Sequence, residues 1–321
     1  MNLAVCLLAY AVSLTVLGPA VLSRVTRAGA APRWGIGAWL TVMGSVLLAA
    51  VAAVTLLVSQ TVASWGRIGP VLTGCMAGLG MIARGGYGQL VQVGVLTLTA
   101  MSTLAVITLG TRAALALHRM RRGSHDHVHA VRIATGDSTP RGPGGTFVID
   151  SDHRGVYCLA GRPHTIVVTR AALDALDDAQ LGAVLAHERA HLRGRHHLIL
   201  ALTRSLSTLL PRLRLFTQGA DDVARLLEMR ADDVAARHHS PETVVDALLA
   251  LSVPARTTTA AAPSAALSAA GMAVTQRVER LLFPPNGIKA RIDLITATGP
   301  VLVGPVLAVA LMMTEPGMAC L

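Results

Sequence analysis

Charge and aromatic side chains are both scarce in this chain: 14% of its 321 residues are charged and 3% aromatic, against 52% hydrophobic. Soluble domains carry roughly 25% charged residues, so this shortage excludes the ordinary soluble class and implies several membrane spans. Acids are the rarer sign, 18 against 28 bases, which leaves a net charge of +10. The bases are almost all Arg and many flank apolar runs, as membrane orientation requires, so direct nucleic-acid binding is not expected. Cysteine is sparse too, at Cys6, Cys75, Cys158 and Cys320, and no spacing among the four suggests a metal site. No internal repeat is present.

Four apolar stretches reach the roughly 20 residues that a helix needs to cross a hydrocarbon core: Leu3 to Leu22, Ile36 to Val58, Leu90 to Leu109 and Leu294 to Met313. The last is interrupted at Gly299-Pro300 and Gly304-Pro305, which a span tolerates where neighbours satisfy the freed backbone groups. Ile68 to Ala83 is short and Gly-rich and reads as interfacial or re-entrant. Arg24, Arg27 and Arg33 collect in the first connection and Arg112, Arg119, Arg121 and Arg122 follow the third span, whereas the second connection has only Arg67 and Arg84. The positive-inside effect then places both termini outside and residues 112–293 in the cytoplasm. Residues 1–22 lack a basic leader, which favours a retained anchor over a cleaved signal. On this map Cys75 and Cys320 share the outer side and can pair, or serve as small apolar groups. The expected division is a three-helix membrane domain over 1–111, a cytoplasmic domain over 112–293, and a fourth span with a short tail over 294–321.

The cytoplasmic block has two textures. Between Val128 and Val168, "VHAVRIA", "TFVID", "GVYCLAG" and "HTIVVT" are short β-branched runs punctuated by Gly, Pro and Asp, which predicts a small antiparallel sheet. After Thr169 the chain turns helical, with Asp174, Asp177 and Asp178 clustered where a helix start favours negative charge. The Ala-, Thr- and Pro-rich stretch from Thr257 to Ala270 reads as a linker with weak helical character. "HDHVH", His125 to His129, reads as a polar linker beside the membrane.

In "LAHERAHLRGRHH", His187, Glu188 and His191 form H-E-x-x-H. On a helix the two His lie about 40° apart on one face, able to share one zinc, while Glu188 is rotated about 100° and stands beside the metal as a proton acceptor and donor. A charged, solvated helix face is the alternative for so short a pattern. Two residues are candidates for a third ligand. His197 completes a longer pattern through Gly194, but an unbroken helix turns it about 280° from His187, and the apolar residues after 198 predict that the helix continues. Glu228 lies in "LLEMRADDVAARH", sharing a helix face with Asp232, which is placed to accept a hydrogen bond from a ligating imidazole. A salt-bridged surface with Arg225 and Arg230 is the plainer reading of that pair. For an oxyanion-stabilising group, His238, His239, Arg277 and Arg280 are candidates by sequence distance, each otherwise a solvated helix residue.

These residues resemble a known group. "VVTRAALDALDDAQLGAVLAHERAHLRGRHH" followed by "EMRAD" is similar to gluzincin peptidases of the HtpX type and to the related BlaR/MecR membrane metallopeptidases, with the span order closer to the second. The resemblance implies a mainly α membrane protein of four transmembrane helices, with a cytoplasmic α+β zinc peptidase domain between helices three and four. It implies one Zn2+ on His187, His191 and Glu228, catalysis by Glu188 and a supporting Asp232, with Glu228 preferred to His197. It also implies cleavage of a cytoplasmic protein, expected to be a DNA-binding repressor, or else quality control of membrane proteins, or a catalytically silent receptor. About eight residues follow Met313, so the extracellular penicillin-binding sensor of the BlaR/MecR group is not expected. "QRVERLLFPPNGIKARI" resembles the Arg-bearing helix and Pro turn of HtpX-like enzymes, with Phe283 where a His-Pro pair often stands.

Overall fold

The computed structural model describes residues 3–65, 142–159, 165–253 and 264–314, with helical positions between 97 and 115. The 68–83 stretch, the "VHAVRIA" and "HDHVH" runs, Cys75 and Cys320 lie outside the described residues. The first two apolar stretches lie in helices longer than themselves: α1 runs Leu3–Thr26 and α2 runs Pro32–Trp65. Among the described residues these two are long and apolar enough to cross a membrane. They form an antiparallel pair joined by a short turn. α9, Gly287–Thr314, continues through both Gly-Pro pairs. Pro305 has no N–H for the Val301 carbonyl, and the Tyr10 hydroxyl of α1 donates to that oxygen instead at 2.8 Å.

The second half of the chain begins with a three-stranded sheet of β1 (Phe147–Ile149), β2 (Val156–Leu159) and β3 (Thr165–Thr169) in the order β1-β3-β2. The expectation of a wholly antiparallel sheet is corrected here. β2 pairs antiparallel with β3, but β1 pairs parallel with it. All five residues of β3 are buried, so β3 takes the centre and both neighbours fall to the edges. Six helices follow: α3 (Arg170–Ala175), α4 (Asp178–Arg193), α5 (His196–Leu209), α6 (Arg214–His239), α7 (Pro241–Ser252) and α8 (Ser264–Leu282). The stretch read as a linker therefore enters a helix at Ser264. α4 starts where the acidic cluster predicts: the Asp177 carboxylate accepts from Gln180 N–H at 2.8 Å, and the Gln180 side chain accepts from Asp177 N–H at 3.1 Å.

Gly194 does end its helix, contrary to the apolar pattern after it. Its N–H donates to Ala190 O at 2.9 Å, and Arg195 turns left-handed at φ 49° before α5 begins. The cause is a conflict of cores. Leu181 and Leu185 of α4 pack with the sheet, whereas Ile199, Leu200 and Leu206 of α5 pack against the apolar cluster that the chain from Leu215 to Met229 shares with the α1–α2 pair. One straight helix cannot face both, and the chain bends at the left-handed Arg195 just after Gly194.

α6 joins the two halves of the molecule. Its residues Leu215, Phe216, Val223, Leu226, Leu227 and Met229 share one apolar cluster with Leu22, Trp39, Val42 and Met43 of the α1–α2 pair. Farther along the same helix lie Glu228 and Asp232. The α1–α2 turn is also bound by α6 and α8: Arg225 donates to Thr26 O and Arg27 O, Gln276 to Arg27 O, and Arg280 to Gly29 O at 2.7 Å.

Candidate active site

α4 and α6 pack face to face and bring three predicted residues together. The His187 and His191 Nε2 atoms are 3.0 Å apart, Glu228 Oε2 lies 3.4 Å from the first, and Glu228 Oε1 lies 3.5 Å from the second. One ligand atom from each falls within 4.8 Å of the others, and this is the metal-capable triad found among the described residues. His197 is not part of it. The helix turn at Gly194 instead delivers His196, which is 1% exposed and places its Nδ1 2.9 Å from His191 Nδ1. A side chain at 194 would run into that imidazole. The sequence reading missed His196; the signal was the His doublet two residues past a glycine, unreadable while α4 was taken to continue.

Both imidazoles are therefore held from behind. Asp232 Oδ1 accepts from His187 Nδ1 at 3.0 Å, and a single N–H lies between His191 and His196. Asp232 is in turn gripped by Arg277 of α8, Nε to Oδ2 at 2.7 Å and Nη2 to Oδ1 at 2.6 Å. Arg277 also reaches Glu228 Oε2 at 3.4 Å. The partner of the two carboxylates is thus Arg277, not Arg225 or Arg230 as the plainer reading had it. Arg225 serves Asp222 and the membrane turn. Of the other oxyanion candidates, Arg280 pairs with Asp233 at 2.7 Å, His239 packs against Gly182, and His238 is exposed at the end of α6. Arg277 itself is committed to Asp232.

Glu188, rotated about 100° from His187, meets β2 while lining the same cavity as His187 and Glu228. Its carboxylate hydrogen-bonds with the Cys158 thiol and backbone. Burial raises the Glu188 pKa above the usual carboxylate range. Burial also pushes the Cys158 thiol up to about 12, aided by the Glu188 charge. A cavity of about 300 Å³ opens over this face, lined by Val156, His187, Glu188, Glu228, Val244 and Leu251 among others.

The electrostatics test whether a cation fits the triad. Burial lowers the His187 pKa, but hydrogen bonds to Asp232 and Glu228 outweigh it and hold the imidazole at about 9. Burial lowers His191 to about 4, and His196 likewise to about 4. Burial raises Glu228 and Asp232, yet bonds from His187 to the first and from Arg277 to the second bring each down to about 2. Two ring nitrogens and a carboxylate converge, and a proton on His187 holds them together in the absence of metal. Two imidazole nitrogens with one carboxylate is a set that zinc accepts. A zinc ion in this place would displace that proton. Since the proton is bound below about 9, apparent zinc affinity is expected to rise about tenfold per pH unit up to that point, with about one proton released per ion near neutrality. Calorimetry in buffers of different ionisation enthalpy reads this number directly, and a release of zero would contradict it.

A curated relative, a protease HtpX homolog of Acidiphilium cryptum (strain JF-5), is 33% identical over 96 residues, covering 28% of this chain and 33% of that protein. The chain thus matches about a third of the relative's length. No solved structure matches. Residues 143–303 match peptidase family M48, from the turn before β1 through both motif-bearing helices and the Arg277 helix into α9. Because that match takes in half of the 321 residues and spans every side chain of the converging triad, the chain belongs to peptidase family M48.

Proposed function

We propose that this protein is a membrane-anchored, zinc-dependent endopeptidase. The observation that carries the reading is the convergence of His187, His191 and Glu228 with each imidazole locked from behind. His187, His191 and Glu228 would hold the ion. When bound, zinc supplies a Lewis acid that polarises a scissile carbonyl and makes water more acidic. Asp232 fixes His187 with its proton on Nδ1, and His196 sets the orientation of His191, as outer partners of metal-binding histidines do. Glu188 takes the proton of the attacking water and passes it to the leaving amine, a task suited to a carboxyl whose pKa is raised by burial. Among the described residues β2 is an edge strand beside the cavity, and its outer edge offers backbone groups to an extended polypeptide.

Family membership and the HtpX homolog support hydrolysis of proteins at the membrane, in the manner of HtpX-type quality control. Cleavage of a cytoplasmic repressor in BlaR/MecR-type signalling is the second reading, favoured by the predicted order of spans. Both place the peptidase domain in the cytoplasm. That placement is supported by the attachment of the Arg-rich α1–α2 turn to α6 and α8, which puts the first cluster of arginines on the same side as the domain.

Metal content of the purified full chain tests the ligand set. Glu228→Ala is expected to lose the ion on dialysis and His197→Ala to keep it. His196→Phe is expected to weaken zinc binding by about 10- to 100-fold in a chelator competition, the usual cost of removing an outer partner. Loss of zinc on changing His197, with Glu228→Ala unaffected, overturns the assignment.

A further inference from the structure

We propose that the turn between α5 and α6 is a membrane-contact element whose Arg212 and Arg214 seat on the phosphates of anionic lipid headgroups. The inference rests on reading α1 and α2 as membrane spans. Helix lengths set the frame. α2 has 34 residues, about 51 Å, whereas a hydrocarbon core is about 30 Å thick. About 20 Å of α2 therefore stands clear of the hydrocarbon. α6 lies along the end of the pair that the peptidase region binds. Leu226 lies 3.0 Å from where a side chain at Gly35 would begin, Gly219 faces Trp39 and Met43, and Leu215 comes 3.5 Å from the corresponding position at Gly18. As its numbering falls, α6 thus runs from the α1–α2 turn toward the middle of the pair. Its first turn ends up level with Gly18 and Met43, about 12 to 16 Å in from the helix ends at Thr26 and Pro32.

Two limits then meet at that level. Beyond Gly18, α1 has only Leu3 to Leu17, about 22 Å of helix, so the bilayer must reach at least to the α5–α6 turn for α1 to cross it, and must thin locally from about 30 Å to match that length. Arg212 and Arg214 are exposed at the turn, and the cost of a guanidinium in hydrocarbon stops the bilayer there. The turn is made for this boundary. Leu209, Leu210 and Leu213 are half-buried around exposed Pro211, and the two arginines flank Leu213. From Arg189 to Ala220 the chain carries no Asp or Glu. Among the described residues neither arginine has a carboxylate partner, and Arg214 reaches only the Gln218 side chain, at 3.5 Å. Guanidinium groups on an apolar rim suit phosphate, which they bind in a two-pronged way, with their stems laid along the acyl boundary. α5 starts at His196, against His191, and α6 carries Glu228, so the element that touches lipid is continuous with the triad at both of its ends.

The test uses the full chain in nanodiscs of phosphatidylcholine with phosphatidylglycerol, with the photo-reactive residue benzoylphenylalanine replacing Thr208, exposed on the last turn of α5, in otherwise native protein and in R212S/R214S. The same residue at Val12, 62% exposed on α1, reports the span, and at Glu242, exposed on α7, reports solvent. Illumination is expected to give lipid adducts at 12 and 208 and none at 242. Those at 208 should be enriched in phosphatidylglycerol by about fivefold for each arginine, and the enrichment should vanish in R212S/R214S. Lipid at 12 without lipid at 208, a protein adduct at 208, or adducts at 208 indifferent to headgroup each overturn the proposal. Absence of lipid at 12 overturns the span assignment, and the proposal falls with it.

Discussion

Glu188→Gln is expected to lower peptide-bond hydrolysis by about 10²- to 10⁴-fold, the range that a positioned general base supplies, while leaving metal content and thermal stability close to those of the unmodified protein. The amide keeps the size of the side chain and can still accept from Cys158, so the packing between α4 and β2 survives. What it loses is the basic oxygen. Because Glu188 is absent from the converging triad, its loss should not release zinc, and this separates it from Glu228. The loss should fall mainly on kcat, since a proton acceptor works in the transition state and adds little to substrate binding. A substrate protein or peptide followed by mass spectrometry, with zinc measured on the same sample, decides the matter. Retention of full activity in Glu188→Gln removes the proposed role.

Much of the triad was legible because helices obey one period. H-E-x-x-H puts two imidazoles one turn apart without help from the rest of the fold, and Glu228 and Asp232, four apart, share a face for the same reason. The structure brings these faces together through small residues: Ala183 of α4 and Ala235 of α6 lie in one buried cluster. The misreadings arose where tertiary forces overrode local pattern. Gly194 looked tolerable inside a helix until two separate cores pulled α4 and α5 apart, and His196 became visible only after that bend. Arg277 read as a solvated helix residue because nothing in "VTQRVERLL" reveals that α8 lies over α6; its side chain is 15% exposed. The parallel pairing of β1 with β3 was hidden as well, since alternation predicts strands but not which edge of the central strand each will take.

Replacing Arg277 with Gln is expected to produce the largest loss of stability of any single change at the site. Asp232 is buried, its side chain 1% exposed, and Arg277 supplies two of its three hydrogen bonds. Removing one partner of a buried, hydrogen-bonded ion pair costs about 3 to 5 kcal/mol, because the remaining charge stays uncompensated. Lys at 277 should recover little of this, since a single ammonium cannot meet both oxygens of Asp232 in the way that a guanidinium fork does. The pH dependence distinguishes this account from simple loss of packing. Arg277 holds the folded pKa of Asp232 at about 2, below its unfolded value of about 3.9. The stabilisation is therefore complete above the unfolded value and is lost as pH falls toward 2. With Gln at 277 the folded pKa rises, so the advantage at neutral pH shrinks and the difference between the two proteins should narrow as acid protonates Asp232 in both. Denaturant titrations of chelator-treated protein in detergent, from neutrality down to about pH 3, measure that convergence. A constant gap across the range would mean that Arg277 acts by filling space, and a gap near zero would detach it from Asp232 altogether.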